Sequence, residues 1–184
     1  CVVLTHAHID HSGLLPRLAR EGFRGPVYAT PATRDLVGVM LPDSAHLQAA
    51  EAERAKRHPR PGRTPFAALY TLDDVERLLA QVHTIPYDVE RELFPGARVR
   101  FRDAGHILGS ASVELWLEDA GRRCKVVVSG DLGQPGRPIL RDPTPIAEAD
   151  VLLCESTYGN RDHKPLEPTI DELVEVVNRT LNEK

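Results

Sequence analysis

Hydrophobic and polar positions along this chain change period several times, and each change predicts an element. Val2, Val3 and Leu4 form a short apolar run that predicts a buried strand over residues 1–5. Leu14, Leu15, Leu18 and Ala19 then recur at helical spacing up to Gly22, with Pro16 tolerated in the first turn. Residues 25–30 read as the next strand. Two helical stretches follow, over 31–40 and 43–57, the second rich in Ala, Glu, Arg and Lys. Pro59, Pro61, Gly62 and Pro65 mark a surface loop over 58–66. Thr71 or Asp73 is placed to cap a helix over 75–79.

Further on, the period becomes two. Val99 and Phe101 alternate with Arg98, Arg100 and Arg102, and Val113, Leu115 and Leu117 alternate with Glu114, Trp116 and Glu118. Residues 126–128 and 151–153 are continuous apolar runs, the pattern of strands buried on both faces. A last helix fits 169–181, with Ile170, Leu173, Val174 and Val177 on one face. There are no internal repeats and no low-complexity tract. The pattern predicts an α/β protein of αββα layering, with strands paired in sheets, helices outside and the chemistry in loops at one edge.

Composition narrows the function classes. The 184 residues suit one domain, or one domain and the start of another, and 41% hydrophobic content can bury a core. No run approaches the ~20 apolar residues of a membrane span, and no signal peptide is visible. A net charge of −4, from 27 acidic and 23 basic residues, is not that of a protein held to nucleic acid by bulk charge. Cys1, Cys124 and Cys154 are odd in number and far apart, which fits neither a disulfide framework nor a cysteine zinc site. Free buried thiols in a reducing cytoplasm are the expectation. Cys1 opens inside a strand with no preceding Met, so the chain is expected to be a piece of a longer protein.

The candidate chemistry concentrates in Thr5-His6-Ala7-His8-Ile9-Asp10-His11-Ser12-Gly13. Three of the chain's 8 histidines lie here beside an aspartate, directly after the first strand. Extended backbone alternates faces, so His6 and His8 point the same way, while Asp10 and His11 follow where the chain turns. Imidazole with carboxylate suits zinc, with manganese or iron as the next choices. Such density beside Asp argues against a merely polar surface loop. Two Gly-rich turns at strand edges add one donor each: Gly105-His106-Ile107-Leu108-Gly109-Ser110 and Ser129-Gly130-Asp131-Leu132-Gly133. Alone, either polar residue is as easily a turn cap; in this order after the first cluster, they form a set.

In sequence order, THAHIDHSG, GHILGSA, SGDLG and CESTYG resemble the metallo-β-lactamase superfamily. The resemblance is closest to its β-CASP branch of RNA-processing nucleases, which includes ribonuclease J and the cleavage and polyadenylation nuclease. The ordered match spans positions 5 to 159. It implies one zinc on His6, His8 and His106, and a second on Asp10 and His11, with Asp131 bridging the two. It also implies that Asp10 and Glu155 belong to the catalytic machinery, Glu155 by orienting a distant histidine that acts as general acid. Tyr158 and Gly159 share that motif, with a role expected to be shape rather than chemistry. His163 could approach substrate, but a solvated loop histidine is the expectation, and His46, His58 and His83 are expected to be surface residues. The implied domains are a metallo-β-lactamase fold over 1–159, truncated at its start, and the first helix of a β-CASP domain over 160–184. The branch takes a further histidine ligand for the second zinc, and the general-acid histidine, from regions outside this chain.

The function so implied is zinc-dependent hydrolysis of RNA phosphodiester bonds in the cytoplasm, endonucleolytic or 5′-exonucleolytic, with DNA not excluded. Two metals ~3.5–4 Å apart suit that reaction, since they activate a water and clamp the phosphoryl oxygens. One alternative is a thioester, lactam or lactone hydrolase on the same fold. Against it, the exported zinc lactamases typically carry Cys where this chain has Asp131, and CESTYG would be unexplained. A second alternative is a non-catalytic scaffold subunit of an RNA-processing complex. Such subunits lose ligands, whereas all six candidate ligands are present here. Arg98, Arg100 and Arg102, with Arg122, Arg123 and Lys125, could guide an RNA backbone. The equally regular Glu114 and Glu118 favour a solvated strand face instead.

Overall fold

The computed structural model describes residues 1–59, 62 and 66–182, so Pro61 and Pro65 of the expected loop lie outside the described residues. Strands β1 (Val2–Val3), β2 (Val27–Ala29) and β3 (Val82–Thr84) form a parallel sheet in that order. A second sheet runs β4 (Arg91–Phe94), β5 (Ala97–Asp103), β6 (Ala111–Asp119), β7 (Arg122–Val128) and β8 (Val151–Leu153). It is antiparallel up to β7, and β8 joins parallel to β7. The helices are α1 (Ile9–Ser12), α2 (Leu15–Arg20), α3 (Pro31–Arg57), α4 (Leu72–Leu79) and α5 (Leu166–Asn182). Two compact units result, Cys1–Cys154 and Glu155–Lys184.

Strand alternation builds the layers of the first unit. Val27 and Ala29 lie in one core with Leu15, Ala19, Val37, Leu41, Val75 and Leu78 from the helices. Val3 and Tyr28, one residue out of phase, pack instead with Ile85, Val99, Phe101 and Val113. The first sheet is therefore covered by helices on one side and by the second sheet on the other, and its strands β1 and β2 are apolar on both faces, whereas β3 carries exposed His83 and Thr84. Fully buried Val99 and Phe101 each stabilise the sandwich by about 1.5–3 kcal/mol. This is the α/β sandwich the pattern predicts. Among the described residues of this unit, the helices pack on the first sheet.

Several expectations need correction. The two helices expected over 31–40 and 43–57 are one helix, α3, with Pro42 inside it. Proline there removes the bond to the Gly38 carbonyl, at about 3 kcal/mol. The buried stripe Thr33, Val37, Leu41 and Ala45 runs straight through the proline at four-residue spacing and offsets that loss. Strands β3 and β4 were not legible in the pattern; β4 pairs through an irregularity between Glu92 and Phe94, which obscures alternation. His83 accordingly lies on β3, although it is exposed as expected, like His46 and His58. The apolar run of β8 is not buried on both faces: Val151, Leu152 and Leu153 are 46%, 61% and 53% exposed, because β8 is the sheet's edge strand. The thiols are free, but Cys1 and Cys154 are exposed rather than buried and Cys124 is intermediate. Thr71 caps α4 as anticipated, through a reciprocal capping box with Asp74.

The outer face of the second sheet is neither a free cationic track nor fully solvated. Cross-strand register brings Arg98, Trp116 and Lys125 into one row, and Arg100 and Glu114 into the next. Glu114, 2% exposed, accepts from Arg100 Nε and Lys125 Nζ, both at 2.7 Å. Burial alone would raise its carboxyl, but these two cations hold it below the usual carboxylate range. Arg98 pairs with Glu90, Arg102 with Asp88 and Arg123 with Glu118. These cations are already compensated, so guidance of RNA across this face gains no support. Among the described residues, no helix is long and apolar enough to cross a membrane.

Candidate metal centre

Three loops carry the candidate ligands, and backbone bonds tie each to the next. After β1 the chain leaves the sheet, and the Ala111 N–H donates to the Thr5 carbonyl at 2.8 Å. That bond sets the histidine-rich loop beside the start of β6, next to the turn carrying His106. Ser12, fully buried, donates to the Ala7 carbonyl at 2.7 Å and closes the loop into α1, which holds Asp10 and His11. The Gly133 N–H donates to the Ala104 carbonyl at 2.8 Å, bringing the Asp131 turn against the His106 turn. Only glycine fits there, since a Cβ on residue 133 would lie 1.6 Å from the Gly105 carbonyl oxygen.

The donor atoms converge. His6 Nε2 and His106 Nε2 each lie 3.1 Å from His8 Nδ1. Asp131 Oδ2 stands 3.6 Å from His6 Nε2 and 3.4 Å from His106 Nε2. All four donors lie within 4.8 Å of one another. A tetrahedral ion with ligands at ~2.0–2.1 Å needs donor separations of roughly 3.3–3.4 Å, so this set fits a metal such as zinc. The other carboxylate oxygen, Asp131 Oδ1, lies 3.3 Å from His11 Nε2, which is itself 3.6 Å from Asp10 Oδ2. Asp131 thus presents one oxygen to each of two donor groups, and the second group is more exposed.

Protonation favours the same use. Burial, followed by repulsion from His11, pushes His6 down to about 4, so it is a neutral imidazole at pH 7. The tautomer that leaves its Nε2 free to ligate puts the proton on Nδ1, which then donates to Thr5 Oγ1 at 3.1 Å.

Sequence reasoning missed the clamp behind His106. Thr30 and Thr33, at the start of α3, both donate to the Gly109 carbonyl, at 2.7 and 2.8 Å. Ser110 Oγ accepts from the His106 and Ile107 N–H groups, and the Tyr87 hydroxyl donates to the Ser110 carbonyl at 2.8 Å. Both threonines are buried and more than seventy residues from Gly109 in sequence, so no local pattern reveals the contact. The one local sign was Thr-Pro at the head of a helix.

Of the other sequence-predicted residues, Glu155 begins the second unit, two residues after the end of β8, with an intermediate exposure. Tyr158 and His163 also belong to that unit, and their rings stack at a centroid separation of 3.6 Å.

A family model described as the metallo-β-lactamase superfamily matches residues 1–172. The chain belongs to the metallo-β-lactamase superfamily. Curated relatives are similar over nearly its whole length. Ribonuclease TTHA0252 of Thermus thermophilus is 39% identical over 183 residues, covering 99% of this chain and 37% of the relative. Transcription termination factor FttA of Pyrococcus abyssi is 33% identical over 184 residues, covering 98% and 26%. An RNase J-like protein of Methanocaldococcus jannaschii is 31% identical over 183 residues, covering 98% and 37%. The chain therefore spans between a quarter and two fifths of the length of these superfamily members.

Proposed function

We propose that the chain is the metal-bearing part of a cytoplasmic ribonuclease of the β-CASP branch, hydrolysing RNA phosphodiester bonds with zinc. Residues 1–159 would be its metallo-β-lactamase-fold part, and 160–184 the first helix of its β-CASP domain. The observation that carries the reading is Asp131, whose two oxygens face two separate donor groups. In this assignment His6, His8 and His106 would hold one zinc, Asp10 and His11 would contribute to the second, and Asp131 would serve both. When bound, the metals supply a nucleophile at neutral pH and charge stabilisation on phosphoryl oxygens.

This chain's own residues do the positioning. Thr5 holds the His6 ring through Nδ1, the Thr30–Thr33 pair holds the turn of His106, and Gly133 lets the Asp131 turn approach. Glu155 is a positioning residue for a general-acid histidine supplied by sequence outside this chain. RNA as the substrate draws its support from the relatives' names, ribonuclease, transcription termination factor and RNase J-like.

Substrate class is testable directly. The full-length protein is expected to cleave single-stranded RNA and a nitrophenyl phosphodiester, while chromogenic lactams and glutathione thioesters stay nearly untouched. Rapid thioester or lactam turnover without nuclease activity would replace this reading with the alternative hydrolase.

A further inference from the structure

The turn after Glu155 builds an arrangement that neither the metal centre nor the fold requires. The Gly159 N–H donates to the Ser156 carbonyl at 3.0 Å, and the Arg161 N–H to the Tyr158 carbonyl at 3.4 Å, curling residues 156–161 tightly. The curl sets the His163 imidazole on the Tyr158 ring, with centroids 3.6 Å apart and planes inclined by 25°. The Arg161 guanidinium lies over the same ring, its Cζ 4.7 Å from the centroid. An imidazole at 3.6 Å fills one face of the phenol, which leaves the guanidinium the other. Guanidinium, phenol and imidazole therefore form a row of three planar groups.

All three side chains are exposed, and Tyr158 keeps 45% of its surface. Large aromatic groups held in register at the surface, rather than buried, are the pattern of stacking platforms for single-stranded nucleic acid. Arg161 also differs from the cations on the second sheet. Arg98, Arg100, Arg102, Arg123 and Lys125 are matched to carboxylates, whereas Arg161 has no carboxylate ion pair among the described residues and lies over a ring face. With the guanidinium placed over the ring, its N–H donors can take an oxyanion.

We propose that Tyr158, Arg161 and His163 form a subsite for single-stranded RNA, separate from the metal ligands. A nucleobase continues the row on the outer face of His163, and Arg161 takes a neighbouring phosphate. The proposal rests on the ribonuclease reading and adds to it the place where one base is held. Tyr158 serves as the spacer that keeps both contacts in register.

The test uses the full-length protein and a single-stranded RNA in which one abasic nucleotide is walked along the sequence. At one position the wild type is expected to lose about 10-fold in kcat/KM when the base is removed, the usual worth of one stacked base. His163→Ala should be slower on intact RNA and should lose nothing further at that position. His163→Phe, which keeps a flat ring, should restore the sensitivity. A variant that merely misfolds slows intact and abasic RNA alike, so the ratio between them would not move. Arg161→Gln should reduce the salt dependence of RNA binding by about the 0.7 units of log–log slope that one single-strand phosphate contact contributes. The same abasic penalty in His163→Ala as in wild type, at every position, would overturn the subsite while leaving the ribonuclease reading intact. If the wild type neither binds nor cleaves RNA, the ribonuclease reading fails and the subsite falls with it.

Discussion

His8→Ala in the full-length protein is expected to lower RNA cleavage by more than ~10³-fold and to leave the fold intact. The magnitude follows from the assignment, because a metal supplies several kcal/mol of transition-state charge stabilisation, and every ~1.4 kcal/mol is a tenfold change in rate. The choice of His8 over its neighbour follows from burial. His6 is completely buried among the rings of His8, His11 and His106, so truncating it would open a cavity as well as remove a donor. His8 is half-buried, and at the head of α1 its side chain makes no capping bond. Its loss therefore removes a donor without removing a support. Metal content, melting temperature and kcat should be measured together. A variant with normal fold and near-normal cleavage would take His8 out of the site.

Glu155→Gln carries the second large effect. If Glu155 orients a general acid, the amide should slow RNA cleavage by roughly 10²–10⁴-fold and spare metal content. The loss should shrink on a nitrophenyl phosphodiester, whose leaving group departs without a proton. A carboxylate that only secured the turn would behave otherwise: the variant would melt earlier and lose equally on both substrates. Equal slowing on the two, with a lower melting temperature, removes Glu155 from the mechanism.

What could be read from the sequence was what repeats at short range. The two-residue spacing of His6 and His8 announced that both point one way, and their ring nitrogens do meet at 3.1 Å. The alternation of Val99 and Phe101 with arginines announced a half-buried strand, and Val99 and Phe101 are the fully buried members. Long-range pairing was hidden. Nothing near Gly109 announces Thr30 and Thr33, and nothing in Glu114 announces that two cations from flanking strands bury it. Local rules also misled where tertiary burial overrode them, as at Pro42, whose helix continues because Val37, Leu41 and Ala45 share one buried stripe. Apolar patterning did not mean burial everywhere, since Val151, Leu152 and Leu153 of β8 are exposed and so are Leu173 and Val174 of α5.

The most direct test is metal removal and return on the full-length protein. Metal should be stripped with a chelator, then RNA cleavage followed as zinc is added back in counted equivalents. Cleavage is expected to vanish on stripping and to return fully at about two zinc ions per chain, the number a bridging Asp131 requires. Undiminished cleavage by protein holding at most trace metal would contradict the account.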